Sequence, residues 1–282
     1  MKRLRVTHAT GFRYAGEVTA SYNEARMLPV SGERQLVLHA NLDVTPVSSY
    51  HQYTDYWGTR VLAFDVLNPH RELTITASSL VEVLESPHAV GTVDWAELHA
   101  RAHGSGEYVQ QLRQTLLTEP PPSLAALAAD ARDGARDDPC AAALAIATAV
   151  GEAMEYESGV TGVRTTASEA WEAGRGVCQD IAHVAVGALR AAGIPARYVS
   201  GYLHPRPEAA IGETVVGESH AWVEWFCGSW HGYDPTNLLE IGDRHVRVGH
   251  GRDYTDVAPL RGVYAGLSAS ELFVSVSITR EA

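Results

Sequence analysis

The feature that most constrains this chain is a change of hydrophobic rhythm along its length. To about Glu85, apolar and polar residues alternate in short runs such as Gln35-Leu36-Val37-Leu38-His39-Ala40, Arg60-Val61-Leu62-Ala63-Phe64-Asp65-Val66 and Glu72-Leu73-Thr74-Ile75-Thr76-Ala77, broken by Pro29, Pro46, Gly58 and Pro69. A period of two belongs to half-buried strands, so this part is expected to form an antiparallel sheet or sandwich. From Ser86 the pattern weakens into a connector with short helices, which ends in Glu119-Pro120-Pro121-Pro122. Two alanine-rich segments follow, 123–133 and 138–156, whose residues favour helix. After Cys178, apolar residues recur at Ile181, Val184, Ala185, Ala188, Leu189 and Ala192, the stripe of a helix with a buried face, and Gly193 and Pro195 stop it. Segments 197–203, 219–226 and 230–233 read as strands. Strands, then helices, then strands again suit an α+β core behind a β domain. No internal repeat is found.

Charge and composition bound the partners. With 34 acidic and 22 basic residues among 282, the formal net charge is -12, which argues against nucleic acid or an anionic membrane as the main partner. No run of about 18 apolar residues occurs, and the start, Met1-Lys2-Arg3-Leu4-Arg5-Val6, has no apolar secretory core. A cytoplasmic location is expected.

Three cysteines are present, Cys140, Cys178 and Cys227. An odd, low count with no CxxC pair predicts neither a disulfide framework nor a structural zinc site, and Cys140 and Cys227 are expected to be small buried hydrophobes. Cys178 differs by position. It opens the helix, where unpaired N–H groups and the macrodipole favour thiolate, the nucleophilic form. Gly174 and Gly176 before it allow close approach of a substrate, and N–H groups at the helix start suit an oxyanion.

A second constellation lies downstream. Phe226-Cys227-Gly228-Ser229-Trp230 is a tight reversal between two strands, which places His220 across from Asp234. A histidine that gives one N–H to a carboxylate turns its other nitrogen outward, as a general base beside a thiol requires. His220, Trp222 and Glu224 share one strand face.

These residues resemble the transglutaminase-like superfamily. The resemblance rests on Gly174-Arg175-Gly176-Val177-Cys178-Gln179-Asp180-Ile181-Ala182-His183, Gly193-Ile194-Pro195-Ala196-Arg197-Tyr198-Val199-Ser200-Gly201-Tyr202, His220-Ala221-Trp222-Val223-Glu224 and Asp234-Pro235-Thr236-Asn237, in order and spacing. The N-terminal part, with Asn23-Glu24-Ala25-Arg26, is similar to the β domain of bacterial members, and the tail from His245 to Val257 also fits them. The resemblance implies an α+β fold: a papain-like core, with the nucleophile helix packed on an antiparallel sheet, preceded by an all-β domain. The expected division is 1–86 for a β-sandwich-like domain, 87–139 for the connector and 140–282 for the core.

The implied chemistry is acyl transfer through a thioester, with Cys178 as nucleophile, His220 as base and then acid, and Asp234 as the orienting group. Asp180 and His183 are expected to buttress the site, and Tyr202 and Trp222 to line the acyl groove. The expected substrate is a peptide, protein or small amide, and neither cofactor nor metal is expected. Hydrolysis is favoured over transfer to an amine acceptor, since the additional C-terminal sandwich domains of the animal cross-linking enzymes are not seen. The loop from His204 to Glu218 is a candidate gate. Two rivals are a catalytically silent peptide-binding module and a metal site in which His183, His204, His231, His245 or His250 join Cys178.

Overall fold

The computed structural model describes residues 1–85, 93–104, 106–217, 219–267 and 269–282. The expected boundary at residue 86 and Glu218 of the candidate gate lie outside them. Six strands come first: β1 (Lys2–Val18), β2 (Ala20–Ala25), β3 (Gln35–Thr45), β4 (Ser49–Thr54), β5 (Arg60–Val66) and β6 (His70–Val83). Then come α1 (Trp95–Gly104), α2 (Val109–Leu112), α3 (Pro122–Gly134), α4 (Pro139–Ala153), β7 (Glu155–Tyr156), α5 (Ala167–Ala173), β8 (Arg175–Gly176) and α6 (Cys178–Ala191). The chain continues through β9 (Ala196–Leu203), β10 (Thr214–Gly217), β11 (Ser219–Phe226), β12 (Trp230–Asp234), β13 (Leu239–Glu240), β14 (His245–Gly251), α7 (Tyr254–Val257), β15 (Leu260–Ala265) and β16 (Ser270–Arg280).

The period-two segments form a sandwich. One sheet has the order β10-β16-β1-β6-β3 and the other β15-β2-β5-β4. Tyr14, Val18, Met27, Leu62, Phe64, Leu73 and Ile75 fill the space between them. Strand parity explains this, because β6 alternates buried and half-buried residues from Leu73 to Val83. The sandwich draws on both parts of the chain, since β16 pairs with β1 and β15 with β2, at least 235 residues apart in sequence.

The α+β core is a third sheet, β13-β12-β11-β9-β14, with helices on one face. Its central element is α6. A one-sided apolar stripe was expected, but every residue from Asp180 to Leu189 is buried, because α3, α4 and α5 cover one side and β9 and β11 the other. Each large aliphatic residue on it contributes about 1.5–3 kcal/mol on burial. Arg190 secures its far end, donating to the carbonyls of Gln111, Ala196 and Arg252. A smaller cluster, in which Leu4, Val6, Val81, Val276 and Ile278 meet Tyr202, Val246 and Val248, joins sandwich to core. No helix among the described residues is long and apolar enough to cross a membrane.

Candidate active site

The site forms where the start of α6 meets the open end of the β11–β12 hairpin. α5 ends at Gly174 in the left-handed conformation, φ +66°, and the short parallel pair β7–β8 leads the chain into α6. Gly176 is required by Asp180: a Cβ there would lie 2.8 Å from the Asp180 carboxylate. That carboxylate accepts from Val177 N–H at 2.8 Å and from the Thr161 hydroxyl at 2.7 Å. Asp180 thus caps the helix that carries Cys178, and its burial raises its pKa although both bonds oppose the shift. The glycines serve this local turn, and Cys178 stands partly exposed at the first helical position.

His220 hydrogen-bonds Asp234, Nε2 to Oδ2, at 2.7 Å. The pair is not directly opposed as expected. The ladder runs Val223 to Tyr233 and Glu224 to Gly232, so Asp234 falls across from Trp222 and His220 reaches it diagonally, on the same sheet face. His220 is also hydrogen-bonded to Cys178. Burial would lower the imidazole, but the bonds and charges of Asp234 and Cys178 outweigh it and push His220 up to about 10.

Asp234 is fully buried and saturated with donors. Oδ1 accepts from Thr236 N–H at 3.0 Å and Asn237 N–H at 3.2 Å, and Oδ2 from Asn237 Nδ2 at 2.8 Å and His245 Nε2 at 3.5 Å besides His220. Its burial favours the neutral acid, yet these donors hold it well below the usual carboxylate range. His245 is in the tautomer this needs, because its Nδ1 accepts from Gly242 N–H at 3.2 Å and leaves Nε2–H to donate. Neither Asn237 nor His245 was assigned a place at Asp234 from sequence. Asn237 follows Asp234 within one turn and was legible as a local donor, whereas His245 comes from β14 and had no local signal.

Two expected positions, those of Tyr202 and Trp222, are corrected. Tyr202 does not line the groove, because its hydroxyl donates to the Met27 carbonyl at 3.2 Å and meets His8 Nδ1 at 3.0 Å in the contact with the sandwich. Trp222, 1% exposed, packs beside Asp234 with Val199 and Ile241 and edge-on to His245, ring centroids 5.4 Å apart. His183 is enclosed beside Tyr198; its Nε2 accepts from Tyr254 N–H, and burial, partly offset by Asp253, pushes it down to about 4. It supports α6 from the inside and does not reach the groove. That groove, of about 500 Å³, is lined by Cys178, His220, Asn237, Tyr156, Leu203 and Val216 among others.

The histidines of the metal rival do not converge on Cys178. His204 bonds within its own turn, His231 meets Ser229, His245 meets Asp234 and His250 accepts from Arg197. Among the described residues, the grouping of three ligand atoms within 4.8 Å is Cys140, Cys227 and His231, and its two sulfurs are bonded to each other. That disulfide corrects the expectation of two unpaired cysteines: it joins the start of α4 to the tip of the β11–β12 hairpin across 5.7 Å between Cα atoms.

Relatives share this organisation. Residues 4–82 match the bacterial transglutaminase-like N-terminal region, and residues 125–235 match the transglutaminase-like superfamily. An uncharacterized protein of Mycobacterium leprae (strain TN) is 44% identical over 280 residues, 99% of each chain. One from Mycobacterium tuberculosis H37Rv is 34% identical over 296 residues, 98% of this chain and 92% of that one. A crystal structure from Cytophaga hutchinsonii, of a candidate cysteine protease, shares the fold with a TM-score of 0.74 at 20% identity, over 99% of this chain and 97% of that one. With a β region followed by a cysteine helix on an antiparallel sheet, and with relatives matched over nearly their whole length, the chain belongs to the transglutaminase-like superfamily.

Proposed function

We propose that the protein is a cysteine hydrolase acting on an amide or peptide carbonyl through a thioester. The observation that carries the reading is the continuous line Cys178, His220, Asp234, with His220 bonded on both sides and opening on the groove. Cys178 Sγ attacks the carbonyl carbon, and the C–N bond breaks as His220 delivers a proton to the departing amine. Water, deprotonated by His220, then cleaves the thioester and releases the free acid. The N–H groups of Cys178 and Gln179, in the first turn of α6, serve as oxyanion donors. Asp234 holds the ring in orientation and stabilises the imidazolium.

Hydrolysis is preferred to amine transfer because the partly exposed Cys178 lies in an open groove where solvent reaches the thioester. The fold neighbour from Cytophaga hutchinsonii, a candidate cysteine protease, supports the same reading. The test follows the acyl product of glutaminyl peptides, small amides and a peptide library with and without a primary amine. Free acid as the product even at high amine is expected. A dominant amide product would make the enzyme a transferase, and no turnover together with an unreactive Cys178 would leave a binding module.

A further inference from the structure

Further along the sheet face that carries His220 and Asp234, between the core and the 32–35 segment of the sandwich, lies a cavity of about 340 Å³. It shares no lining residue with the catalytic groove. Three guanidiniums line it, those of Arg34, Arg197 and Arg247, against the carboxylates of Glu33 and Glu224. Glu224 is engaged, since Arg197 holds it at 2.7 and 2.5 Å, whereas Arg247 approaches it only to 3.9 Å. Arg34 donates one N–H to the Ile241 carbonyl at 2.7 Å. A guanidinium has five donors, so Arg34 and Arg247 both keep donors beyond these bonds.

Two further observations point to an anion. The Trp222 indole, on the cavity wall and 1% exposed, has an Nε1–H without a hydrogen-bond partner, which is costly for a buried donor. Arg197 and Arg247 also add to burial in pushing the neighbouring His250 down to about 3, although Glu224 opposes them. The remaining wall combines the apolar Val83, Trp230 and Ile241 with Gln35, His245 and His250.

We infer that this cavity binds a small organic carboxylate, its charged end at Arg34, Arg247 and the Trp222 Nε1–H and its apolar body against Trp230 and Ile241. The single surplus positive charge of the lining matches a monoanion, and the planar fork of arginine matches a carboxylate. His245 also lines the cavity, so the ligand sits one side chain from Asp234.

Benzoate is the probe, with phosphate and chloride at matched ionic strength as competing anions and the full chain as the protein. Saturable binding is expected, read as a rise in Tm and a change in tryptophan emission. Arg247→Gln weakens benzoate about tenfold or more. The fold tolerates this change because Gln35 pairs with the Arg247 backbone, not its side chain. Should that variant lose its fold, Arg34→Gln on the facing wall makes the same test. Cys178→Ala binds as the wild type does, which separates the cavity from the catalytic groove. The inference is overturned if benzoate shows no saturable effect, if phosphate or chloride acts equally well, or if binding survives both arginine substitutions.

Discussion

The β11–β12 hairpin has two ends, and each carries a cysteine environment of a different kind. At the open end, Cys178 stands unpaired and partly exposed, next to a histidine held by a buried carboxylate. At the tip, Cys227 is completely buried and bonded to Cys140. The same hairpin therefore faces a free thiol from α6 at one end and carries a sulfur fastener at the other. What decides between them is the neighbours: an imidazole and a groove at the first, a second sulfur within bonding reach at the second.

The largest effect expected from breaking this contrast is at the open end. Cys178→Ala removes the nucleophile, and mass spectrometry of the protein with an activated acyl ester should detect no acyl-enzyme. Asp234→Asn keeps the shape but inverts what the side chain offers to His220, so acylation should fall by about 10⁴-fold with the fold retained by circular dichroism. A rate within tenfold of wild type would mean that another group orients His220.

At the tip the effect is on stability. Replacing Cys140 and Cys227 by serine opens a loop closed over a sequence separation of 87 residues and should cost about 2–4 kcal/mol, seen as a lower urea midpoint. The alkylation rate of Cys178 should be unchanged; a change would show that the two ends are coupled. Reducing agent should reproduce the loss. In a reducing cytoplasm the pair stays as thiols, and in an oxidising compartment it closes.

Smaller effects sharpen the picture of Asp234. His245→Leu removes one donor to a buried carboxylate and should slow acylation about tenfold, about 1.4 kcal/mol, while leaving the substrate KM unchanged. His220 supplies a pH dependence of known sign. Its folded value, about 10, lies above the ordinary 6.5, so its stabilisation is complete below about pH 6.5 and is lost as pH rises through about 10. The slope is at most about 1.4 kcal/mol per pH unit. His220→Asn should flatten Tm against pH between 7 and 10, and an unaltered slope would assign the dependence to other groups.

Legibility in the sequence followed the range of the interaction. α6 was readable because its caps, stops and apolar spacing are local, and His220 with Asp234 because a short hairpin joins them. Tyr202 was misplaced because parity along β9 tells which residues share a face but not where the sandwich covers it. Trp222 shares a face with His220 as expected, yet Val199 and Ile241 from other strands enclose it. The Cys140–Cys227 bond and the bond of His245 to Asp234 join elements that only the tertiary fold brings together, and one histidine among thirteen offers no local sign of its partner. The charges of the rear cavity likewise come from separate places in the chain, the segment before β3 and strands β9, β11 and β14.

The position of β16 has a consequence for how the protein is made. It lies between β1 and β10 in its sheet, and β10 supplies Val216 and Gly217 to the groove beside Cys178. A ribosome that has not yet delivered residues 270–280 has already synthesised Cys178, His220 and Asp234, but one wall of their groove still lacks the strand that seats it. Assembly of the groove beside Cys178 thus waits for a late segment of the chain.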